Sequence, residues 1–215
     1  TDDHYRDKDG NIVNGYSANI TETCDDASND EPRLNLITDV AIDVVSAADK
    51  DFLIDALNKT QEIVHQKIEK VYADGAYNSE SNQQHAHQEN YDLQLTAMQG
   101  AQARYDLSLD QQDQDKLTVT DIKTGNIIEA QQVKTRKNPE SKQWRIITDE
   151  GKPRYFNLKH VQSSLLRQKL RDIPLVERNK RNNVEATIFQ FGFHYPNNKS
   201  RYRGLHKHKL WAYAH

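Results

Sequence analysis

The chain of 215 residues is 35% hydrophobic and 28% charged, which suits one large domain or one domain with an insertion and argues against disorder. Its single cysteine, Cys24, excludes a disulfide framework and a cysteine-built zinc site, and the lack of an 18-residue apolar run gives no predicted membrane span. The net charge of −3 conceals an asymmetry, because residues 152–215 carry 14 Lys and Arg against 3 Asp and Glu (+11), which favours a polyanionic partner about as much as an ordinary solvated surface.

The N-terminal part of the chain predicts a loop followed by a hairpin. Residues 1–14 are polar and have no clear period, so they predict a loop or a frayed end. The segments 15–23 and 34–45 are rich in β-formers, and a turn-rich acidic stretch joins them. This pattern predicts two antiparallel strands with a long connection.

A helix, a strand and a second helix are predicted next. Apolar residues recur at helical spacing in 46–70, and Ser46 or Asp49 is a suitable N-cap. A short strand then ends at Asp74. Residues 77–91 contain caps and helix formers but few apolar residues, which predicts a short exposed helix.

Residues 92–160 change in character. Short β-type segments alternate with turn signals, among them the sequence IKTGNI, which is typical of a hairpin turn. The segment therefore predicts a strand-rich insertion, with Trp144, Ile146 and Ile147 in its core.

The basic C-terminal part predicts three helices. The first spans 160–173 and ends at Pro174, the second spans 178–193, and the third begins at 205 after a basic turn. Two apolar stripes are expected to pack: Val161, Leu165, Leu170 and Ile173 in the first helix, and Val184, Ile188 and Phe191 in the second.

Two carboxylates stand apart from this packing pattern. Asp74 ends a strand and is followed by Gly75, which suits either a turn residue or a ligand. Glu185 lies four positions after Arg181, which suits either an ordinary surface ion pair or a functional site. Carboxylates from two different elements are what phosphodiester cleavage by two Mg²⁺ ions requires.

Three blocks of the sequence resemble bacterial insertion-sequence transposases of the DDE type: LNLITDVAIDVVSAADKDFL, VYADGAYNSESNQ and RNNVEATIFQFGFHYPNNKSRYRGLHKHKLWAYAH. The resemblance runs from about residue 6 to the end of the chain. It implies an α/β fold with an RNase H-like mixed sheet flanked by helices. It also implies three parts: the N-terminal part of the core in 1–91, a β-rich insertion in 92–160, and in 161–215 a helical part that carries the Glu and a basic DNA-facing stretch.

The same resemblance implies the chemistry of the site. Asp74, with Gly75 and Tyr77, matches the second catalytic Asp of the family, and Glu185 matches the catalytic Glu. Both would be metal ligands for Mg²⁺ or Mn²⁺. The expected contacts to DNA phosphates are Arg181, Lys199, Arg201 and Arg203. The implied partner is double-stranded DNA, bound by a dimer in the cytoplasm of a bacterium, in association with the nucleoid.

Two departures from the family pattern are visible. The first catalytic Asp of the family lies on the strand before the hairpin, whereas here only the predicted loop precedes it. The acids of that loop, Asp2, Asp3, Asp7 and Asp9, have no β context, so the first Asp is expected upstream of Thr1, in a longer protein. One branch of the family has a Tyr–Arg–Glu–Lys signature. At the positions of its Tyr and its Lys, this chain has Arg178 and Gly192.

The expected activity is metal-dependent cleavage and strand transfer of DNA at insertion-sequence ends, performed by the full-length protein rather than by this fragment alone. Two other readings remain open. One is a catalytically dead DNA-binding remnant of a transposase, which the missing first Asp favours. The other is a stand-alone RNase H-like nuclease, which would cleave DNA without joining ends.

Overall fold

The computed structural model describes residues 5–8, 10–24, 34–98, 100, 102–110, 112–113, 115–134, 141–192 and 202–214. Contacts divide the chain into two compact units. The first consists of Thr1–Met98 and Pro174–His215, and the second of Gln99–Ile173. Asp74 and Glu185 both belong to the first unit, although 111 positions of sequence separate them.

The first unit begins with a short hairpin where the sequence predicted a loop. Strands β1 (Tyr5–Lys8) and β2 (Asn11–Asn14) pair antiparallel, with Asp7 opposite Ile12. Gly10 has φ 82°, and its N–H donates to the Asp7 carboxylate at 2.9 Å, which makes the tight turn possible. The prediction of a loop was wrong here, and Asp7 does lie on a strand.

The hairpin that was predicted over 15–23 and 34–45 is confirmed, and it is the second hairpin of this unit. Strands β3 (Tyr16–Glu22) and β4 (Ile37–Val44) pair antiparallel, with an irregularity between Thr21 and Glu22. A 3-10 turn at Asp49–Phe52 leads into helix α1 (Leu53–Val64), which packs against β4. Its buried face consists of Leu53, Ala56, Leu57 and Thr60.

Helix α1 is shorter than the predicted helix over 46–70. His65 takes a left-handed conformation, with φ 52°, and its N–H closes the last turn on the Gln61 carbonyl. At the other end, no side-chain cap is formed, so neither Ser46 nor Asp49 has the predicted capping role. The backbone geometry at residue 65 therefore ends the helix, although apolar residues continue at helical spacing beyond it.

A parallel strand pair follows. Strand β5 (Lys70–Ala73) pairs with β6 (Asp92–Leu95), and helix α2 (Glu80–Glu89) connects them. The Ser79 hydroxyl caps α2 by accepting from the Asn82 N–H. The strand and the helix were both predicted, and the strand ends at Ala73, one residue before the predicted end at Asp74.

In its described residues, the second unit is a five-stranded antiparallel meander with one helix. Its strands, in spatial order, are β7 (Tyr105–Leu109), β8 (Leu117–Asp121), β9 (Ile127–Val133), β10 (Gln143–Ile147) and β11 (Pro153–Asn157). Helix α3 (Leu158–Asp172) packs against β7 and β11. The core that they enclose contains Tyr105, Leu107, Leu117, Val119, Trp144, Ile146, Phe156 and Val161.

Two details of this core differ from the sequence prediction. Ile147 is 53% exposed, because side chains alternate along β10 and Trp144 and Ile146 occupy the inner face. On α3, Ser164 is buried and accepts from the Leu107 N–H, whereas Leu165 is exposed. Helix α3 itself lies in the second unit, whereas the sequence placed residues 161–173 with the C-terminal part of the core.

The chain then returns to the first unit through three helices, α4 (Leu175–Asn179), α5 (Asn182–Gly192) and α6 (Leu205–Ala214). The predicted single helix over 178–193 is therefore divided. The stripe on α5 is not buried, since Ile188 is 45% exposed. Helix α6 packs against β4.

Helices and mixed parallel and antiparallel strands confirm the α/β class. In the part of the chain that the structure describes, no helix is long and apolar enough to cross a lipid bilayer.

Candidate functional site

Asp74 occupies the first position after β5, where the backbone turns sharply. It is extended, with φ −72° and ψ 158°, and it precedes a 3-10 turn formed by Gly75–Tyr77. Its carboxylate does not cap that turn. The turn therefore needs the backbone of residue 74 but not its side chain, and the half-exposed carboxylate points to another partner.

Gly75 fixes the place of this turn. A Cβ atom at residue 75 would lie 2.2 Å from the carbonyl oxygen of Ala97, far inside van der Waals contact. Only glycine lets the backbone come so close to the segment after β6. The glycine next to Asp74 is therefore explained by a close approach of two backbone segments.

Arg181 joins the two carboxylates. Its Nη1 lies 2.6 Å from Glu185 Oε1, and its Nη2 lies 3.3 Å from Asp74 Oδ2. The pair between Arg181 and Glu185 was expected from their spacing on the helix. The contact to Asp74 adds a carboxylate from a strand end, so that one guanidinium holds two acids from different elements.

Tyr77 links this turn to the β3 strand. Its hydroxyl donates to the Asn19 side-chain oxygen. Burial, reinforced by the negative charges of Asp49 and Asp74, raises the pKa of Tyr77 to about 12. The phenol is therefore neutral at physiological pH and stays a hydrogen-bond donor.

A cavity of about 570 Å³ lies beside Asp74. Residues 18–22 of β3 form one wall and all of β5 forms the other, while α1 and α5 contribute apolar side chains. Strand β3 pairs with β4, and β5 pairs with β6; in the described residues neither has a second partner strand. Two strands with one unpaired edge each therefore line a single cavity.

Buried polar atoms in this cavity also lack partners. Asn19 Nδ2 and Glu22 Oε1 are buried and form no hydrogen bond with the described residues, although Glu22 Oε2 accepts from Thr187 Oγ1 at 2.7 Å. Buried polar atoms are normally satisfied. Asn19 and Glu22, which both line the cavity, therefore each keep one polar atom without a partner in the described residues.

A second polar cluster lies next to the two carboxylates. The Tyr72 hydroxyl donates to Glu177 Oε2 and accepts from Lys180 Nζ at 3.2 Å, and Lys180 Nζ also lies 3.2 Å from Glu177 Oε1. This cluster was not predicted from the sequence. Its one sequence signal was the i, i+3 spacing of Glu177 and Lys180, which reveals nothing about Tyr72.

Charge and burial explain the state of these groups. Burial, followed by the hydrogen bond to Glu177, raises the pKa of Tyr72 to about 12. The hydrogen bond from Tyr72 lowers the pKa of Glu177, against the opposing effect of burial. Burial opposes the charge on Lys180, but the hydrogen bonds to Tyr72 and Glu177 outweigh it and raise the pKa of Lys180. The cluster is thus a neutral phenol between a carboxylate and an ammonium group.

The remaining predicted site residues are less informative. Arg203 is exposed and lies two positions before α6. Lys199 and Arg201 lie outside the described residues, as do Asp2, Asp3 and Asp9.

The carboxylates of the site meet part of what a divalent metal ion requires. In the part of the chain that is described, no three His, Cys, Asp or Glu side chains gather in one place. Two carboxylates do converge, and a positively charged guanidinium stands between them. Mg²⁺ binds through one or two carboxylates completed by water and phosphate oxygens, so Asp74 and Glu185 fit such an ion as an incomplete ligand set.

Comparisons of the chain with protein-family models, with curated proteins and with solved structures found no match.

Proposed function

We propose that this chain is the catalytic region of a DDE-type transposase with an RNase H-like core, which cleaves DNA at insertion-sequence ends and joins the 3′-hydroxyl to target DNA. The observation that supports it best is the convergence of Asp74 and Glu185 on one guanidinium, from a strand end and a helix. The residue blocks that resemble the family contain both acids.

In this proposal Asp74 and Glu185 hold Mg²⁺ or Mn²⁺. When bound, such ions activate the attacking oxygen and stabilise the leaving oxygen of a phosphodiester. Arg181 keeps the two carboxylates close together, and its planar array of donors matches a DNA phosphate as well as it matches a carboxylate.

The cavity between β3 and β5 supports the expectation of a further strand. A strand placed there would pair with the free edges of both, and its polar groups would reach Asn19 and Glu22. It would also lie next to Asp74, which lines the same cavity. We infer that this strand carries the first catalytic Asp of the set.

Double-stranded DNA is the proposed substrate, bound by a dimer that brings two ends together in the bacterial cytoplasm, at the nucleoid. Arg181 and Arg203, together with Lys199 and Arg201, are the proposed phosphate contacts. The charge of +11 on residues 152–215 supports this assignment, because such a segment attracts a polyanion.

The direct experiment measures cleavage of labelled DNA that carries the insertion-sequence ends, with Mg²⁺ and the full-length protein. We expect Asp74→Ala and Glu185→Ala each to abolish cleavage while DNA binding stays within about twofold, since loss of a metal ligand removes the ion but not the phosphate contacts. Glu62→Ala, which removes an exposed acid from α1, is the matched control and should cleave normally. Cleavage by either site variant at the normal rate would contradict the proposal.

The same assay separates the two other functions. A catalytically dead remnant is favoured by the presence of two converging carboxylates instead of three in the described residues. Such a protein would bind DNA without cleaving it. A stand-alone nuclease would cleave DNA and yield no joined products.

A further inference from the structure

The cluster of Tyr72, Glu177 and Lys180 joins two parts of the first unit that are far apart in sequence. Tyr72 belongs to β5 and lies two positions before Asp74, whereas Lys180 directly precedes Arg181. The three polar groups contact one another in a closed ring, and Lys180 Nζ also lies 5.3 Å from the centre of the Tyr72 ring. One side of the ring thus belongs to the strand of Asp74, and the other to the segment that leads into the helix of Glu185.

This segment contributes no buried residues to the apolar core. None of the residues of α4 or α5, all of which are described, is buried. Leu175 and Val176 at the start of α4 are exposed by 73% and 63%. The polar ring is therefore an important part of the attachment of α4 and α5 to the first unit, alongside the Arg181–Asp74 and Thr187–Glu22 contacts.

The ring is also shielded from solvent. The Lys180 side chain is 9% exposed and Glu177 is 23% exposed, so water screens their attraction less than it would at an open surface. Hydrogen bonds with a charged partner are about twice as strong as neutral ones, and all three contacts of the ring are of this kind. A ring of such contacts restricts both distance and orientation.

We propose that Tyr72, Glu177 and Lys180 form a clamp between β5 and the α4–α5 segment, which sets the separation of the Asp74 and Glu185 carboxylates and so the affinity of the site for a divalent cation. The three are positioning residues, since their polar groups contact one another and act on the site through the backbone. The part of the proposal that concerns the cation rests on the proposed function; the attachment of the helices does not.

The test is a Mn²⁺ titration of the full-length protein, followed by electron paramagnetic resonance. We expect Tyr72→Phe and Lys180→Met each to weaken Mn²⁺ binding about tenfold, in line with other residues that support metal ligands from behind. Lys180→Arg keeps a cation in the ring and should recover part of the affinity. Melting temperatures measured in parallel show whether each variant is folded.

Tyr91→Phe is the matched control. Tyr91 lies in the same unit and is buried, and its hydroxyl is hydrogen-bonded to His85 at 3.1 Å, but it takes no part in the clamp. It should leave the Mn²⁺ affinity within about twofold of the unaltered protein. Unchanged Mn²⁺ affinity in a folded Tyr72→Phe protein, when Asp74→Asn does weaken binding, would overturn the clamp.

A second measurement separates failure of the clamp from failure of the proposed function. Amide hydrogen exchange over residues 175–192 should become faster in Tyr72→Phe and stay unchanged in Tyr91→Phe. If Asp74→Asn binds Mn²⁺ as tightly as the unaltered protein, the metal site is refuted, and hydrogen exchange alone decides on the attachment. Unchanged hydrogen exchange over residues 175–192 in Tyr72→Phe would refute the proposed attachment of the helices as well.

Discussion

Arg181 places one positive charge between two negative ones. Each carboxylate contacts a different nitrogen of the same guanidinium, so one positive charge offsets the charges of both Asp74 and Glu185. The guanidinium is also a competitor, because a divalent cation and Arg181 make use of the same carboxylate oxygens. Arg181 therefore affects both the net charge of the site and its affinity for a divalent metal ion.

We expect Arg181→Met to increase the Mn²⁺ affinity of the full-length protein several-fold, because the competing cation is removed. The same change should reduce the slope of DNA affinity against salt concentration by about one, since one phosphate contact is lost. Mn²⁺ titration and fluorescence anisotropy at several salt concentrations measure the two effects.

Arg167→Met is the control, since it removes an arginine of α3, in the second unit. Weaker Mn²⁺ binding in Arg181→Met would show that Arg181 holds the ligands in place more than it competes for them.

The turn after β5 illustrates how one element depends on another. Gly75 lies against the backbone of residue 97, which is just beyond β6, and the missing side chain of Gly75 is what allows this contact. The position of Asp74 is thus determined by the parallel pairing of β5 with β6 as well as by its own strand.

Gly75→Ala should therefore destabilise the protein by about 1–3 kcal/mol, the usual cost of forcing extra atoms into a packed position, and should abolish cleavage by displacing Asp74. Urea unfolding measures the first effect and the DNA cleavage assay the second. Gly192→Ala is the matched control, because a Cβ atom there meets no described atom outside the backbone of its own helix within 4 Å; it should leave stability within about 0.5 kcal/mol. An equal effect of the two substitutions would contradict the argument.

The elements that the sequence predicted are those with a strong local period. The β3–β4 hairpin and the strand before Asp74 follow from β-formers bounded by turn residues, and the structure contains both. Helix α1 ends because His65 takes a left-handed conformation, and the sequence has no glycine there that would have predicted this end. Residues 177–183, which include the boundary between α4 and α5, are all polar, so no apolar period marks the break.

The candidate site was predictable to a similar extent. Asp74 was identified from the strand end, and Glu185 from its helical spacing to Arg181 and from the resemblance. The contact between Arg181 and Asp74 and the hydrogen bonds of Tyr72 join residues more than 100 positions apart, which no local pattern encodes.

At the scale of the whole molecule, charge is distributed unevenly along the chain. Residues 1–151 carry 15 Lys and Arg against 29 Asp and Glu, or −14, whereas residues 152–215 have a charge of +11. If DNA binds to the basic part, each phosphate contact releases counterions, and affinity falls steeply with salt.

Lys199→Ala and Arg201→Ala should each weaken binding to any duplex and reduce the slope of log affinity against log salt by about one, as expected for a phosphate contact without base specificity. Anisotropy titrations between roughly 50 and 200 mM salt measure this. Lys123→Ala, in an exposed turn of the second unit, is the control. An unchanged slope in the Lys199 or Arg201 variant would argue against a phosphate role.

The insertion of Gln99–Ile173 between the two segments of the first unit also has a consequence for the nascent protein. After Asp74 leaves the ribosome, 111 further residues must be made before Glu185 follows it. At the usual 5–20 residues per second, this takes roughly 6–20 s. During that interval the growing chain has the strand-borne acid but neither Arg181 nor Glu185, so a protein that cuts DNA would acquire its cutting site only late in its own synthesis.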